Sequence, residues 1–202
     1  MRLITIVTDV GGPVAMHALL SELPQNFGSP IMVLQSTDNV LLDSAIAALR
    51  HTTPLKLAQL GSTTSLHAGT VYFAQPGKSY LPGPDRDKLA LELQKTEKKS
   101  HGFSNTVIGL ARLLGSELTV VFLSGRGDQE EITRVCSFLE QCGCSVLVLN
   151  RKESVVDELG RCALHATTSA CELSAVRIVD LLIMQAGEST PERKTTQKVA
   201  KQ

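Results

Sequence analysis

The chain has 202 residues, is 43% hydrophobic, and balances 20 Lys and Arg against 20 Asp and Glu. This length suits one α/β domain with a full core, and no apolar run approaches the length of a membrane span. Zero formal net charge and 3% aromatic content argue against a nucleic-acid partner.

The start, Met1-Arg2-Leu3-Ile4, carries no cleavage signal, and the five cysteines lie mostly in apolar patterns. A reduced, cytoplasmic protein without membrane insertion is expected. Leu3 to Val7, short, apolar and β-branched, predicts a strand covered on both faces. Gly11 and Gly12 then permit a tight turn, and Pro13 opens a helix carrying Met16, Leu19, Leu20 and Leu23. Asp9 stands at this strand-to-helix turn, where parallel α/β folds build their sites.

Pro24 to Ser29 is a loop, and Pro30 to Gln35 predicts the second buried strand. Thr37 or Asp38 caps a helix carrying Val40, Leu41, Ala45, Ala48 and Leu49, which Pro54 stops. Leu55 to Ala58 is a short strand, and Ser62 to Ala68 a polar connection. Gly69 to Ala74 is a strand, with Lys78 to Leu81 returning as the second arm of an antiparallel hairpin. Pro82 to Gly102 is the least ordered-looking interior stretch. Within it Lys88 to Lys99 fits a surface strand, a helix or a loop equally.

Ser104 or Asn105 caps a helix ended by Gly115. Leu118 to Leu123 is the most strand-like run of all and leads into Ser124-Gly125-Arg126-Gly127-Asp128. A helix to Gly143, a strand at Ser145 to Leu149, a helix from Val155 to His165, a strand at Ala170 to Leu173 and a helix from Ser174 to Met184 follow. Gly187 to Gln202 is expected to be a polar, disordered tail behind a domain of residues 1–186. The alternation implies a doubly wound, mainly parallel sheet with one β-hairpin.

Three loops leave apolar strands and enter helices: the Asp9 loop, Gln35-Ser36-Thr37-Asp38, and Ser124 to Asp128. If their strands are neighbours, Asp9, Ser36 and Asp128 face one cleft, with Gly11, Gly12 and Arg126 beside them. Gly125-Arg126-Gly127 lacks a Walker or dinucleotide fingerprint, so Arg126 is expected to pair with an acid such as Asp9. Cys142-Gly143-Cys144 has no second ligand pair, so no metal and no cofactor are expected. His17 and His67 fit surface or capping positions.

Five stretches in order resemble the catalytic domain of the CheB-type chemotaxis methylesterases. They are Asp9-Val10-Gly11-Gly12-Pro13, Gln35-Ser36, Ala68 to Pro76, His101-Gly102-Phe103-Ser104, and Ser124 to Asp128. The resemblance covers roughly residues 3 to 184 and implies a fold of that type and cleavage of glutamate γ-methyl esters on chemoreceptors. It also implies that the family's usual preceding receiver domain is not part of this chain.

Within the resemblance, the serine nucleophile position matches Asp9 and the histidine position matches Ser36. The aspartate matches Gln129 without a gap, or Asp128 with one residue deleted. A serine nucleophile needs a base of near-neutral pKa, and neither Asp9 nor Ser36 supplies that chemistry. Losing both groups removes on the order of a million-fold in rate from comparable hydrolases.

No intact catalytic set is therefore expected. The chain reads as a CheB-like binding or regulatory module of a chemosensory system. Its partner is a chemoreceptor, a methyltransferase or a separate receiver domain. The alternatives are an active methylesterase using rearranged residues, with His101 the nearest histidine by motif, and an unrelated anion-binding α/β domain.

Overall fold

The computed structural model of the protein describes residues 2–35, 39–83, 89–94 and 102–187. Among the described residues ten strands form: β1 (Leu3–Thr8), β2 (Ile31–Gln35), β3 (Lys56–Gln59), β4 (Thr63–Ser65), β5 (Thr70–Phe73), β6 (Tyr80–Pro82), β7 (Ala90–Leu93), β8 (Leu118–Phe122), β9 (Ser145–Leu149) and β10 (Ala170–Leu173). The helices are α1 (Gly12–Leu20), α2 (Asn39–Leu49), α3 (Gly102–Leu114), α4 (Gln129–Gln141), α5 (Glu158–Ala166) and α6 (Ala175–Gln185). The proposed caps Thr37 and Asp38, the segments 84–88 and 95–101, and the tail beyond Gly187 lie outside the described residues.

Seven strands make one parallel sheet in the order β10-β9-β8-β1-β2-β5-β3. β1 is central, paired with β2 on one side and β8 on the other. All six of its residues are buried, which is why it reads as a mostly apolar, β-branched run, with Thr5 and Thr8 buried among the aliphatic residues, rather than an alternating one. Side chains of alternate parity go to opposite layers. Leu3 and Val7 pack with α3, α4 and α5, and Ile4 and Ile6 with α1, α2 and α6.

The chain moves from β1 to β2 through α1 on one face, and from β8 to β9 through α4 on the other. The sheet therefore reverses its winding between β1 and β8, and the loops after these two strands diverge over a crevice at their carboxyl ends.

The hairpin expected over Gly69 to Leu81 is not formed. β5 is flanked by β2 and β3, both parallel to it, and has no free edge for a returning arm. The antiparallel unit is a separate three-stranded sheet, β4-β7-β6, in which β6 and β7 form the hairpin. The polar connection of Ser62 to Ala68 supplies its third strand, β4. Of the three forms open to Lys88 to Lys99, its described part adopts a strand, β7.

This small sheet is tied to the main body by Tyr80. The side chain is fully buried, its backbone N–H donates to Thr106 Oγ1 of α3 (2.9 Å), and its hydroxyl donates to the Leu60 carbonyl (3.4 Å). Burial raises the Tyr80 phenol above its ordinary pKa, while the backbone N–H of Gln75 pulls the other way.

Candidate active site

Gly11 adopts φ 80° as the left-handed N-cap of α1, a conformation that a side chain resists. It turns the chain out of β1 directly into the helix. The loop after β8 lies against this turn and is stitched to it. Thr8 Oγ1 and the Asp9 backbone N–H both donate to the Ser124 carbonyl, at 2.8 and 3.0 Å. Ser124 is itself fully buried. Its hydroxyl donates to the Val10 carbonyl (2.7 Å) and accepts from the Val156 N–H (3.0 Å). One side chain thus joins the loops that follow β1, β8 and β9.

Gly125 completes the contact by having no side chain. A Cβ there would sit 2.7 Å from Asp9 Cβ and 2.8 Å from Asp9 N.

Asp9 is half-buried at the end of β1. Its Oδ2 accepts from the Arg126 backbone N–H at 3.4 Å. The expected ion pair between these residues is not formed; the contact is a hydrogen bond from the main chain of Arg126. Its guanidinium pairs with no carboxylate among the described residues and stays exposed.

A cleft of about 550 Å³ opens at the carboxyl ends of β2 and β5. Leu34 and Gln35 line it from β2, Ala74 and Gln75 follow β5, and Gly77 and Lys78 come from the next turn. Phe103 of α3 closes one side, and Arg126, Gly127, Asp128, Glu131 and Glu158 close the other. Its charge is mixed, Lys78 and Arg126 against Asp128, Glu131 and Glu158.

The Asp128 carboxylate caps α4, its Oδ1 accepting from the Glu131 N–H at 2.8 Å. One oxygen is thus committed to the helix N-terminus, where a carboxylate is stabilised without further role. The thiol next to this wall belongs to Cys162, buried at 3% exposure. Its pKa is raised by burial first and then by the Glu158 charge, the reverse of what a reactive thiolate needs.

Of the residues singled out from sequence, Arg126 and Asp128 line this cleft, and Asp9 adjoins it through the Arg126 backbone. Gly11 and Gly12 do not line it. A Cβ on Gly11 would meet Ser124 Oγ and Val155, and one on Gly12 would meet Thr8. Ser36 and His101 lie outside the described residues. His17 and His67 are exposed and line no part of the cleft.

Gln75 and Phe103 fall within the resembling stretches without an assigned role, and Lys78, Glu131 and Glu158 carry no site signal in the sequence reading. Glu158 was missed because the helix was expected to begin at Val155, whereas α5 starts three residues later. The Asp157-Glu158 pair was the available signal, since acidic residues favour a helix's first turn. Among the described residues, no three His, Cys, Asp or Glu side chains converge as metal ligands, and no helix is long and apolar enough to cross a membrane.

A parallel α/β domain whose strand-end loops converge on a polar cleft is an enzyme-type scaffold of the doubly wound class. Within that class, the chain belongs to the CheB methylesterase family, which it matches over residues 4–182. It is 27% identical over 195 residues to the protein-glutamate methylesterase/protein-glutamine glutaminase of group 3 operon of Rhizobium meliloti (strain 1021), covering 96% of this chain and 54% of that protein. It is 24% identical over 191 residues to protein-glutamate methylesterase/protein-glutamine glutaminase 1 of Vibrio cholerae serotype O1 (strain ATCC 39315 / El Tor Inaba N16961), covering 92% and 50%. The chain thus spans about half the length of these relatives. Its fold matches the Thermotoga maritima CheB methylesterase catalytic domain with a TM-score of 0.82 at 22% identity, over 91% of this chain and 97% of that one.

Proposed function

We propose that this chain is a CheB-like methylesterase domain that binds without turning over, serving as a regulatory module in a chemosensory system. The observation that carries the reading is Asp9, a carboxylate that accepts from the Arg126 N–H at the end of β1. Among the described lining residues of the adjoining cleft there is no Ser, Cys or His. Ester cleavage by a side-chain nucleophile needs an activated hydroxyl or thiol within reach of a base that titrates near neutrality.

Asp9, at the position the family resemblance gives to the nucleophile, is a carboxylate with an oxygen directed to the Arg126 N–H. Gln35, Gln75, Lys78 and Arg126 equip the cleft to hold amide and carboxylate groups. That chemistry fits relatives named for acting on protein glutamate and glutamine. The partner in this reading is a chemoreceptor, a receptor methyltransferase or a receiver domain on another chain, engaged in the cytoplasm.

The test is methanol release from methylated chemoreceptor. The purified chain should release none above the uncatalysed rate, yet retain the receptor or another signalling protein on an affinity column. Turnover abolished by Ser36→Ala or His101→Ala would replace this reading with a rearranged hydrolase.

A further inference from the structure

We propose that a second cleft, between α3, α4 and the small sheet, is a docking site for an acidic polypeptide segment of a partner protein. The inference goes beyond the reading of the candidate active site and stands whether or not that site turns over ester.

The cleft, of about 380 Å³, is built on one stripe of α3. Asn105, Ile108, Gly109 and Arg112 all line it, at the spacing that places residues on one helix face. Gly109 sets its floor. A Cβ there would lie 2.7 Å from Leu81 Cδ2, so its absence lets β6 close onto α3.

Two arginines reach across from opposite helices. Arg112 of α3 lies over the Phe138 ring of α4, 5.1 Å from its centroid. Arg134 of α4 donates from Nη2 to Ser104 Oγ of α3 at 3.2 Å. Each guanidinium is thus held by a neutral partner, a ring or a hydroxyl. Neither pairs with a carboxylate among the described residues. A guanidinium presents five donors in a rigid fork suited to carboxylates, and these two are largely pre-positioned.

The absence of acid from the described lining is selective. The chain has as many Asp and Glu as Lys and Arg, and each of the three other clefts described has at least one carboxylate in its wall. A site that holds two arginines and no acid among its described lining residues is complementary to negative charge.

Spacing and lining favour a polypeptide over a small anion. Phe138, which holds Arg112, is four positions from Arg134 along α4, and Arg112 itself is eight positions from Ser104 along α3, about 6 and 12 Å of helix rise. One phosphate does not bridge such a span. Glutamates at i and i+4, or i and i+7, on an amphipathic helix do. Leu81 and Ile108, which share the lining with the arginines, offer that helix an apolar contact. The cleft also adjoins the candidate active site in sequence, at Lys78 and Ser79 and again at Phe103 and Asn105.

The test uses the full chain and a fluorescein-labelled amphipathic helical peptide with glutamates at i, i+4 and i+7 on one face and leucines beside them. Its glutamine and lysine counterparts and inorganic phosphate serve as further probes. The acidic peptide should bind with an affinity that falls as salt is raised, and the glutamine peptide should bind at least about tenfold more weakly.

Arg112→Glu and Arg134→Glu should each weaken the acidic peptide by about tenfold, while Arg177→Glu on the opposite face of the sheet should not. The double variant should instead capture the lysine peptide, a gain that an unfolded chain would not show. Failure of the acidic peptide to bind, equal binding of the glutamine peptide, or indifference to both arginine changes would each overturn the proposal. Displacement of the peptide by inorganic phosphate at equimolar concentration would overturn it in favour of a small-anion site.

Discussion

Ser124→Ala isolates one side chain on which three loops depend. The substitution deletes the acceptor of the Val156 N–H and the donor to the Val10 carbonyl, at 3.0 and 2.7 Å in the intact protein. Val10 is 40% exposed, so water replaces its lost donor at little cost. Val156 is half-buried beneath the loop, and a buried N–H left unpaired costs about 1–3 kcal/mol. The expected loss is about 2 kcal/mol, which for a domain of this size lowers Tm by roughly 4–8 °C.

Ser124→Cys, close in size but a weak hydrogen-bonding partner, should recover little of it. Thr8→Val removes only one of two donors to the Ser124 carbonyl, because the Asp9 N–H remains, and should cost roughly 0.5–1.5 kcal/mol. Calorimetry gives the first quantity. Amide hydrogen exchange gives the second, with the Val156 N–H losing protection while Val148 in the core of β9 keeps it. A Tm fall of less than about 1 °C, or an unchanged Val156 exchange rate, would refute the claim that this hydroxyl holds the loops together.

Gly125→Ala should destabilise the chain by about 1–3 kcal/mol, because the new methyl meets the fixed backbone and Cβ of Asp9 rather than a yielding side-chain end. An unchanged urea midpoint would mean the β1 and β8 loops separate freely. Burial pushes the Cys136 thiol up to about 12 and Cys144 to about 11, from an ordinary 9.0. A raised pKa in the folded state means the neutral thiol is favoured there. The associated stability is full below pH 9 and is lost as pH rises from 9 toward 12, where the unfolded chain ionises first. Alkylation of the native protein should label exposed Cys171 and spare Cys136 and Cys144, and labelling of Cys136 at the rate of Cys171 would contradict the burial.

Much of this protein was legible along the chain. Leu3 to Val7, Leu118 to Leu123 and Ser145 to Leu149 are buried strands because each is a short, mostly apolar run, as burial on both faces requires. Gly11 and Pro13 mark the turn into α1 through backbone geometry alone. The ordered motifs pointed to the family, since loops that follow central strands keep their order whatever the intervening surface does.

What sequence reading missed was partner choice. Thr70-Val71-Tyr72-Phe73, followed by Pro76-Gly77, suits a hairpin locally, yet β2 and β3 occupy both edges of β5. The return arm pairs instead with β7, ten residues further on. The Asp9–Arg126 contact likewise depends on which atoms of a loop face a neighbour 117 residues away. Burial pattern and turn geometry are properties of a few consecutive residues. The pairing of strand edges and the facing of loops are set by packing between distant segments, and only the assembled sheet determines them.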